Sequence, residues 1–519
     1  MIPLTLSVGE LLDAQAAARS GQPFLSFGDG RTFTYAEVAE RAARVRGLLA
    51  SHGVQPGDRV AVMLHNSLFY PVAWLGILSR AAVAVPVNSR LGPEDASYII
   101  GHSRSRLLIC DETTAPTARA AAERSGTPPT VVEVPAGEHD PTLLAAISPL
   151  PPSRATTRSL ANVQYTSGTT GLPKGCLLSH GFWQRMGHGA AWFLELGPAD
   201  RILTAQPFSY IDPLWNVMCT LQAGAHLIVL DGFHPSTFMQ AVVQWKVTVF
   251  YCVGVMPTLL LRQPASPLDR QHALRKVGCS AIPPNLHRTI EERWGVPWSE
   301  IFGMTETGLN IAVVPEDHEA LLGTGSIGVA MPHCDVAVVD EIGRDVPPGE
   351  VGELRLRGPG LMDGYLDDPE ATARFFRQGW ANTGDLVTMD EGGRVFFRGR
   401  RKEMIRRGGE NIAQAEVEFV LRGHEDVLDC AVAPVPDDTL GEEAKAYVVL
   451  LEGRAQDPER LRAFLAARIA PFKVPRYWEF RQDLPRTPSE RIEKHRLELS
   501  GRSWRQATYD VRQGGWLEP

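Results

Sequence analysis

The sequence predicts an α/β protein. It reads as a large N-terminal domain of stacked, mainly parallel α/β subdomains with a β-rich subdomain, then a small α+β C-terminal domain. Three observations carry this. The N-terminal part alternates strand-like apolar runs with helix-length segments, the pattern of parallel strands joined by crossover helices. Near Asp335 the pattern changes to short alternating strands broken by turns at 341–344, 347–350 and 391–394. After Arg400 helices and strands mix in a compact stretch.

In order, residues 59–63 and 82–87 read as strands, and 69–78 between them as a buried helix. The Pro/Ser/Thr-rich stretch 148–158 is a surface loop. Strands resume at 225–230 and 247–251, and the β-rich part spans about 325–399. Beyond it come a helix at 413–421, strands at 427–434 and 444–451, a helix at 458–469 and a strand at 476–480. These place a large domain over 1–399, a hinge at 400–402 and a small domain over 403–519.

Composition narrows the function classes. Of 519 residues, 44% are apolar and 22% charged, as in a soluble globular protein. The net charge of −8 leaves no basic footprint for nucleic acid. Cys110, Cys176, Cys219, Cys252, Cys279, Cys334 and Cys430 form no Cys-x-x-Cys and read as buried thiols in a reducing compartment. The N-terminus lacks a basic segment and a long apolar run, so no signal peptide is expected. The apolar region 60–87 is broken by His65, Asn66 and Arg80, and no membrane span is expected. The expected protein is cytoplasmic, and either a monomer or a homodimer.

The most telling stretch is Tyr165-Thr-Ser-Gly-Thr-Thr-Gly-Leu-Pro-Lys-Gly175. Its strand is expected to end near Val163. Glycines let backbone N–H groups crowd round an anion, hydroxyls add donors, and Lys174 brings a mobile positive charge. It is not a Walker A sequence, whose spacing differs. Pro173 would break a helix interior, so Lys174 is expected on a loop. Gly323-Thr-Gly-Ser-Ile-Gly328 matches a dinucleotide fingerprint literally, but no helix pattern opens there, and a tight turn is the better account.

Other segments complement the phosphate loop. Phe302-Gly-Met-Thr-Glu-Thr307 sets a hydroxyl beside a carboxylate able to hold Mg²⁺ against a polyphosphate. Thr383-Gly-Asp385 offers a turn carboxylate suited to ribose hydroxyls, and Arg400 follows in Phe397-Arg-Gly-Arg400.

Together with Gly399-Arg-Arg-Lys-Glu403 and Gly408-Gly-Glu-Asn-Ile412, these motifs resemble the adenylate-forming superfamily of acyl/aryl-CoA synthetases, peptide-synthetase adenylation domains and luciferases. The resemblance covers nearly the whole chain, in order. It implies an AMP-forming acid–CoA ligase using ATP, Mg²⁺ and coenzyme A, with a small domain that rotates. It implies that Thr166, Ser167, Gly168, Thr169, Thr170, Gly171 and Lys174 wrap the ATP phosphates. Ser280 and Ala281 would lie beside the adenine, with Phe302, Gly303 and Met304 flanking it. Thr305 would contact the α-phosphate, Glu306 the Mg²⁺, and Asp385 with Arg400 the ribose. Lys402 would be the hinge, and Gly408 and Gly409 would line the acceptor tunnel.

Two segments depart from the family. Its C-terminal Gly-Lys, whose lysine bridges carboxylate and α-phosphate, is replaced in Pro485-Arg-Thr-Pro-Ser-Glu490-Arg491-Ile492-Glu493-Lys494. Either Arg491 does that work or Lys494, about one helical turn on, reaches in. The second departure is Pro207-Phe-Ser-Tyr210, where Tyr210 takes the place of the relatives' His or aromatic gate. Residues 206–257 are loosely similar to carnitine/crotonobetaine-type CoA ligases. Trp192, Tyr210, Trp215, Tyr251 and Met256 are pocket candidates, with plain core packing as the alternative for each. An aromatic wall favours a small or aryl acid over a fatty one. An acceptor other than CoA (an amine, a carrier protein, or nitrite activation for diazotisation of an arylamine) is the other reading.

Overall fold

The computed structural model describes residues 4–135, 142–166, 172–253, 256–407, 410–486, 492–498 and 503–518. Ser167, Gly168, Thr169, Thr170, Gly171, Gly408, Gly409 and Arg491 lie outside the described residues.

Three sheets organise the described residues. One holds the expected parallel core: strand Leu160–Thr166, then Val83–Pro86, Arg59–Met63, Leu107–Asp111 and Thr130–Val134, all parallel. The helix Phe69–Ser79 crosses between two of these strands with every residue buried. Its unbroken apolar character therefore reflects a position in the protein core. No helix among the described residues is long and apolar enough to cross a membrane.

The second sheet has 14 strands among the described residues. Strands Pro23–Phe27, His226–Val229, Arg201–Thr204, Val249–Val253, Lys276–Ser280 and Trp298–Met304 run parallel. From Gly308–Ala312 onward the pairing turns antiparallel, through Ser326–Ala330, Val395–Arg400, Trp380–Met389, Gly352–Arg357 and Asp335–Val339. The β-rich part is thus a continuation of the parallel sheet, with Trp298–Met304 bonded in both modes.

In the Gly323–Gly328 segment a strand, Ser326–Ala330, follows where a dinucleotide fold needs a helix. Gly328 has φ +101°, and a Cβ there would lie 2.0 Å from the Ala312 carbonyl. Close strand packing, not a cofactor, explains this glycine. All seven cysteines are buried and free.

The third sheet is built on the hairpin Val427–Asp437 and Gly441–Leu450, with Tyr477–Arg481 parallel to its second strand. Helices Gln414–Arg422 and Pro458–Ala466 supply Val417, Leu421, Leu461 and Leu465 to its core. Arg262, on the large-domain helix Met256–Arg262, donates to the Leu428 carbonyl at 2.7 Å.

Candidate active site

The two described ends of the candidate phosphate motif are paired strands of a hairpin. Leu160–Thr166 runs three residues past the expected strand end and pairs with Lys174–Ser179, in the register Tyr165 to Gly175 and Thr166 to Lys174. Lys174 therefore opens a strand and does not sit on a loop. A Cβ on Gly175 would lie 2.7 Å from Val163 and 3.2 Å from the Tyr165 ring, so only glycine allows this approach. The stem is tied down by Tyr98, whose hydroxyl donates to the Pro173 carbonyl at 3.1 Å, and by His102 Nδ1 at 2.8 Å from the Tyr165 hydroxyl.

Tyr365, which sequence reasoning missed, joins the loop to the candidate metal carboxylate. Its short strand Gly364–Tyr365 pairs with Lys174–Ser179. Its hydroxyl donates to Glu306 Oε1 at 3.0 Å, and the Lys174 ammonium lies 5.0 Å from its ring centroid and 3.8 Å from Asp368. Burial first, then the Glu306 charge, pushes the Tyr365 phenol far above its ordinary range, so it remains a donor. One carboxylate suits Mg²⁺, which keeps several waters and binds mainly through substrate phosphates. Thr305 directly precedes Glu306, and the Glu306 carbonyl accepts from the Met362 N–H at 2.8 Å.

The candidate adenine turn is held from below. Ser280 ends its strand, and Ala281 takes a left-handed φ of +67°, a costly conformation for a residue with a Cβ. Glu300, buried beneath it, accepts from the Ala281 N–H at 2.5 Å and the Ile282 N–H at 2.9 Å. Ser280 Oγ donates to the Ile301 carbonyl at 2.5 Å, and the Tyr251 hydroxyl lies 2.8 Å from that Oγ. Phe302, Gly303 and Met304 close the strand Trp298–Met304, with a register shift at Phe302–Gly303.

Burial pushes the Glu300 carboxyl up to about 8, against the two N–H bonds that favour its charge. Between its ordinary value near 4.5 and about 8 the folded chain keeps a proton that the unfolded chain has lost. The stability of the wild type relative to Glu300→Gln should therefore fall as pH rises from about 5 to about 8. Urea unfolding of both proteins at the two pH values reads this; a constant difference would contradict it.

Asp385 and Arg400 face each other across adjacent strands, and Arg400 Nε forms an ion pair with Oδ1 of the fully buried Asp385 at 2.9 Å. Glu353 accepts from the Gly384 N–H at 3.3 Å and from Arg401 at 3.2 Å. Lys402 falls within the short turn Arg401–Glu403 just after Arg400.

The acid-pocket candidates divide. Tyr210 accepts from Asn88 Nδ2 at 2.9 Å and precedes the helix Ile211–Ala223. Trp215 on that helix meets Tyr251 edge-on at 4.8 Å. Met256, opening its helix, has its sulfur 3.9 Å from Gln206 Nε2. Trp192 differs, being 40% exposed near the end of helix His180–Phe193. At the C-terminal end, Lys494 Nζ contacts Glu418 at 2.7 Å, Gln414 at 2.9 Å and Glu403 at 3.4 Å, all within the small domain. Burial opposes its charge, but Glu418 and Glu403 outweigh that and raise its pKa.

Comparison with known proteins places the chain. The family described as AMP-binding enzyme matches residues 12–366, and the AMP-binding enzyme C-terminal domain matches 416–491. The chain belongs to this AMP-binding enzyme family. It is similar to a feruloyl-CoA synthase from Amycolatopsis sp, 36% identical over 468 residues, covering 90% of this chain and 93% of that protein. It is also similar to the crotonobetaine/carnitine–CoA ligase of Salmonella typhimurium, 33% identical over 488 residues with the same coverage. Among solved structures, ATP-bound MatB from Rhodopseudomonas palustris superposes with TM-score 0.86 at 29% identity, over 95% of this chain and 98% of that one. The AMP-binding enzyme assignment makes the protein an AMP-forming ligase of the acid–CoA ligase type, a class that uses ATP, Mg²⁺ and CoA.

Proposed function

We propose that the protein converts a small or aryl carboxylic acid to its acyl-adenylate and then to the CoA thioester. The observation that carries this is the contact of Lys174 and Glu306 with one side chain, Tyr365, on a hairpin whose family counterpart binds triphosphate. The acid's carboxylate oxygen attacks the α-phosphorus of ATP, and the bond to the β-bridging oxygen breaks to release pyrophosphate. Two anions must meet, so positive charge has to be in place beforehand. Lys174 supplies part of it, and Arg491, at the sequence position of the family's lysine, supplies the rest. Lys494, already engaged by Glu418, Glu403 and Gln414, keeps a structural task. Bound Mg²⁺, held by Glu306, would draw charge from the triphosphate.

Thr305 contacts the α-phosphate, Asp385 and Arg400 bind the ribose, and Ser280, Ala281 and Phe302 hold the adenine. The thiol sulfur of CoA, arriving past Gly408 and Gly409, then attacks the acyl carbon, and AMP leaves. Rotation of the small domain about Lys402 shields the adenylate from water between the two steps. The relatives that act on ferulate and on carnitine or crotonobetaine support a compact acid.

The Glu490-Arg491 departure keeps an amine, a carrier protein or nitrite as the other acceptor reading. Pyrophosphate release is measured across a panel of acids, followed by AMP release and product mass with CoA or an amine. Acid-dependent pyrophosphate release and a CoA thioester are expected. Best turnover of long-chain acids would overturn the compact-acid reading, and product only with the amine would overturn the CoA reading.

A further inference from the structure

A buried row of side chains joins the candidate phosphate motif to the segment before Tyr210, and none of the steps above uses it. Trp74, on the buried helix Phe69–Ser79, donates its indole N–H to Asn162 Oδ1 at 3.0 Å. Asn162 Nδ2 donates to Gln164 Oε1 at 3.2 Å, and Gln164 Nε2 donates to the Ser209 carbonyl at 2.6 Å. Trp74 and Asn162 are fully buried, and Gln164 is 2% exposed. Asn162 and Gln164 belong to the strand Leu160–Thr166, whose last residues open the phosphate motif. Ser209 directly precedes Tyr210.

The direction of this row is fixed at both ends. An indole N–H only donates, and a backbone carbonyl only accepts. Asn162 must therefore turn its oxygen to Trp74 and its N–H to Gln164, and Gln164 must turn its N–H to Ser209. Flipping either amide would set buried donors against donors and acceptors against acceptors, so one arrangement is kept. Asn66 holds the same segment, with Nδ2 donating to the Gln206 carbonyl at 2.9 Å and Oδ1 accepting from the Phe208 N–H at 3.1 Å. Of these side chains, Gln164 is the one that stands both on the phosphate strand and against Ser209. Resting on the acid-activating reading, we propose that Gln164 is a positioning residue, which ties the Ser209–Tyr210 wall to the strand presenting the phosphate motif and so sets the approach of the acid's carboxylate to the α-phosphorus. A misplacement of about 1 Å in such an approach can cost about 10²-fold in rate.

Gln164→Glu is the sharpest test. A protonated carboxyl there accepts from Asn162 through one oxygen and donates its O–H to Ser209, as glutamine does; an ionised one sets a negative oxygen against the carbonyl. Cys176, opposite Gln164 in the hairpin register, is a thiol whose pKa burial raises well above its ordinary value, so it stays neutral. Pyrophosphate release per folded enzyme is measured for the wild type, Gln164→Glu and Gln164→Leu at about pH 6 and about pH 9, which bracket the raised pKa of a buried carboxyl. The substrate is ferulate, or whichever acid of the panel the wild type turns over faster. Binding of MgATP without acid is measured by calorimetry. Gln164→Leu should lower kcat/KM for the acid by about tenfold to a hundredfold at both pH values, with MgATP affinity near wild type. Gln164→Glu should lie near wild type at the lower pH and fall by a similar factor at the higher. A ratio of Gln164→Glu to wild type that does not change with pH, or acid turnover and MgATP affinity that fall together, overturns the proposal. A wild type that releases no pyrophosphate with any acid of the panel overturns the acid-activating reading, and this proposal with it.

Discussion

Glu306→Gln is expected to slow acid-dependent pyrophosphate release by about 10²–10³ and to raise the Mg²⁺ concentration needed for half-maximal rate. Glutamine keeps the size and one acceptor oxygen, so the Tyr365 hydrogen bond at 3.0 Å can persist. What is lost is the negative charge. Tyr365→Phe keeps that charge and removes only the hydroxyl, so it should cost less and leave the Mg²⁺ requirement closer to wild type. Initial rates over a Mg²⁺ series, with ATP saturating, separate the two. A Glu306→Gln enzyme with a wild-type rate and Mg²⁺ profile would remove Glu306 from the site.

Lys494→Met should be primarily a stability variant, lowering the unfolding free energy of the small domain by about 3 kcal/mol. The lysine neutralises Glu418, which is 7% exposed at its side chain, and reaches Glu403 at 3.4 Å. Removing it leaves a buried carboxylate short of a partner. The lower end of the usual range applies because Arg422 stands 3.8 Å from Glu418 and can take part of the charge. Thermal melts and urea midpoints read the loss. Pyrophosphate release per folded enzyme should change little, whereas Arg491→Ala should slow it strongly. A stable Lys494→Met protein that cannot form adenylate would reverse the two assignments.

Much of the fold was legible because its signals are local. The strands Arg59–Met63 and Val83–Pro86 and the helix Phe69–Ser79 sit within a residue or so of their expected bounds, since apolar run length and flanking breakers decide them. The order of motifs along the chain was legible for the same reason. Tyr365 was not. Its strand has two residues, too few for an alternating pattern, and its partners Lys174 and Glu306 are far away in sequence. Glu300 belongs to no motif of the sequence, and its hold on the strained Ala281 turn shows only in the structure. Lys174 was expected on a loop because Pro173 excludes a helix interior, an argument that does not register the hairpin pairing of Lys174 with Thr166.

The long sheet that changes from parallel to antiparallel at Trp298–Met304 carries the candidate contacts to adenine and ribose together. Ser280, Phe302, Gly303, Asp385 and Arg400 stand on strands of that one sheet. A nucleoside held by these residues would meet a preorganised frame whose conformational entropy was lost during folding, not at binding. Binding free energy from that end remains for orienting the α-phosphorus toward the incoming carboxylate. A change of acid preference at Trp215 would reach this frame through Tyr251, whose hydroxyl lies 2.8 Å from Ser280 Oγ.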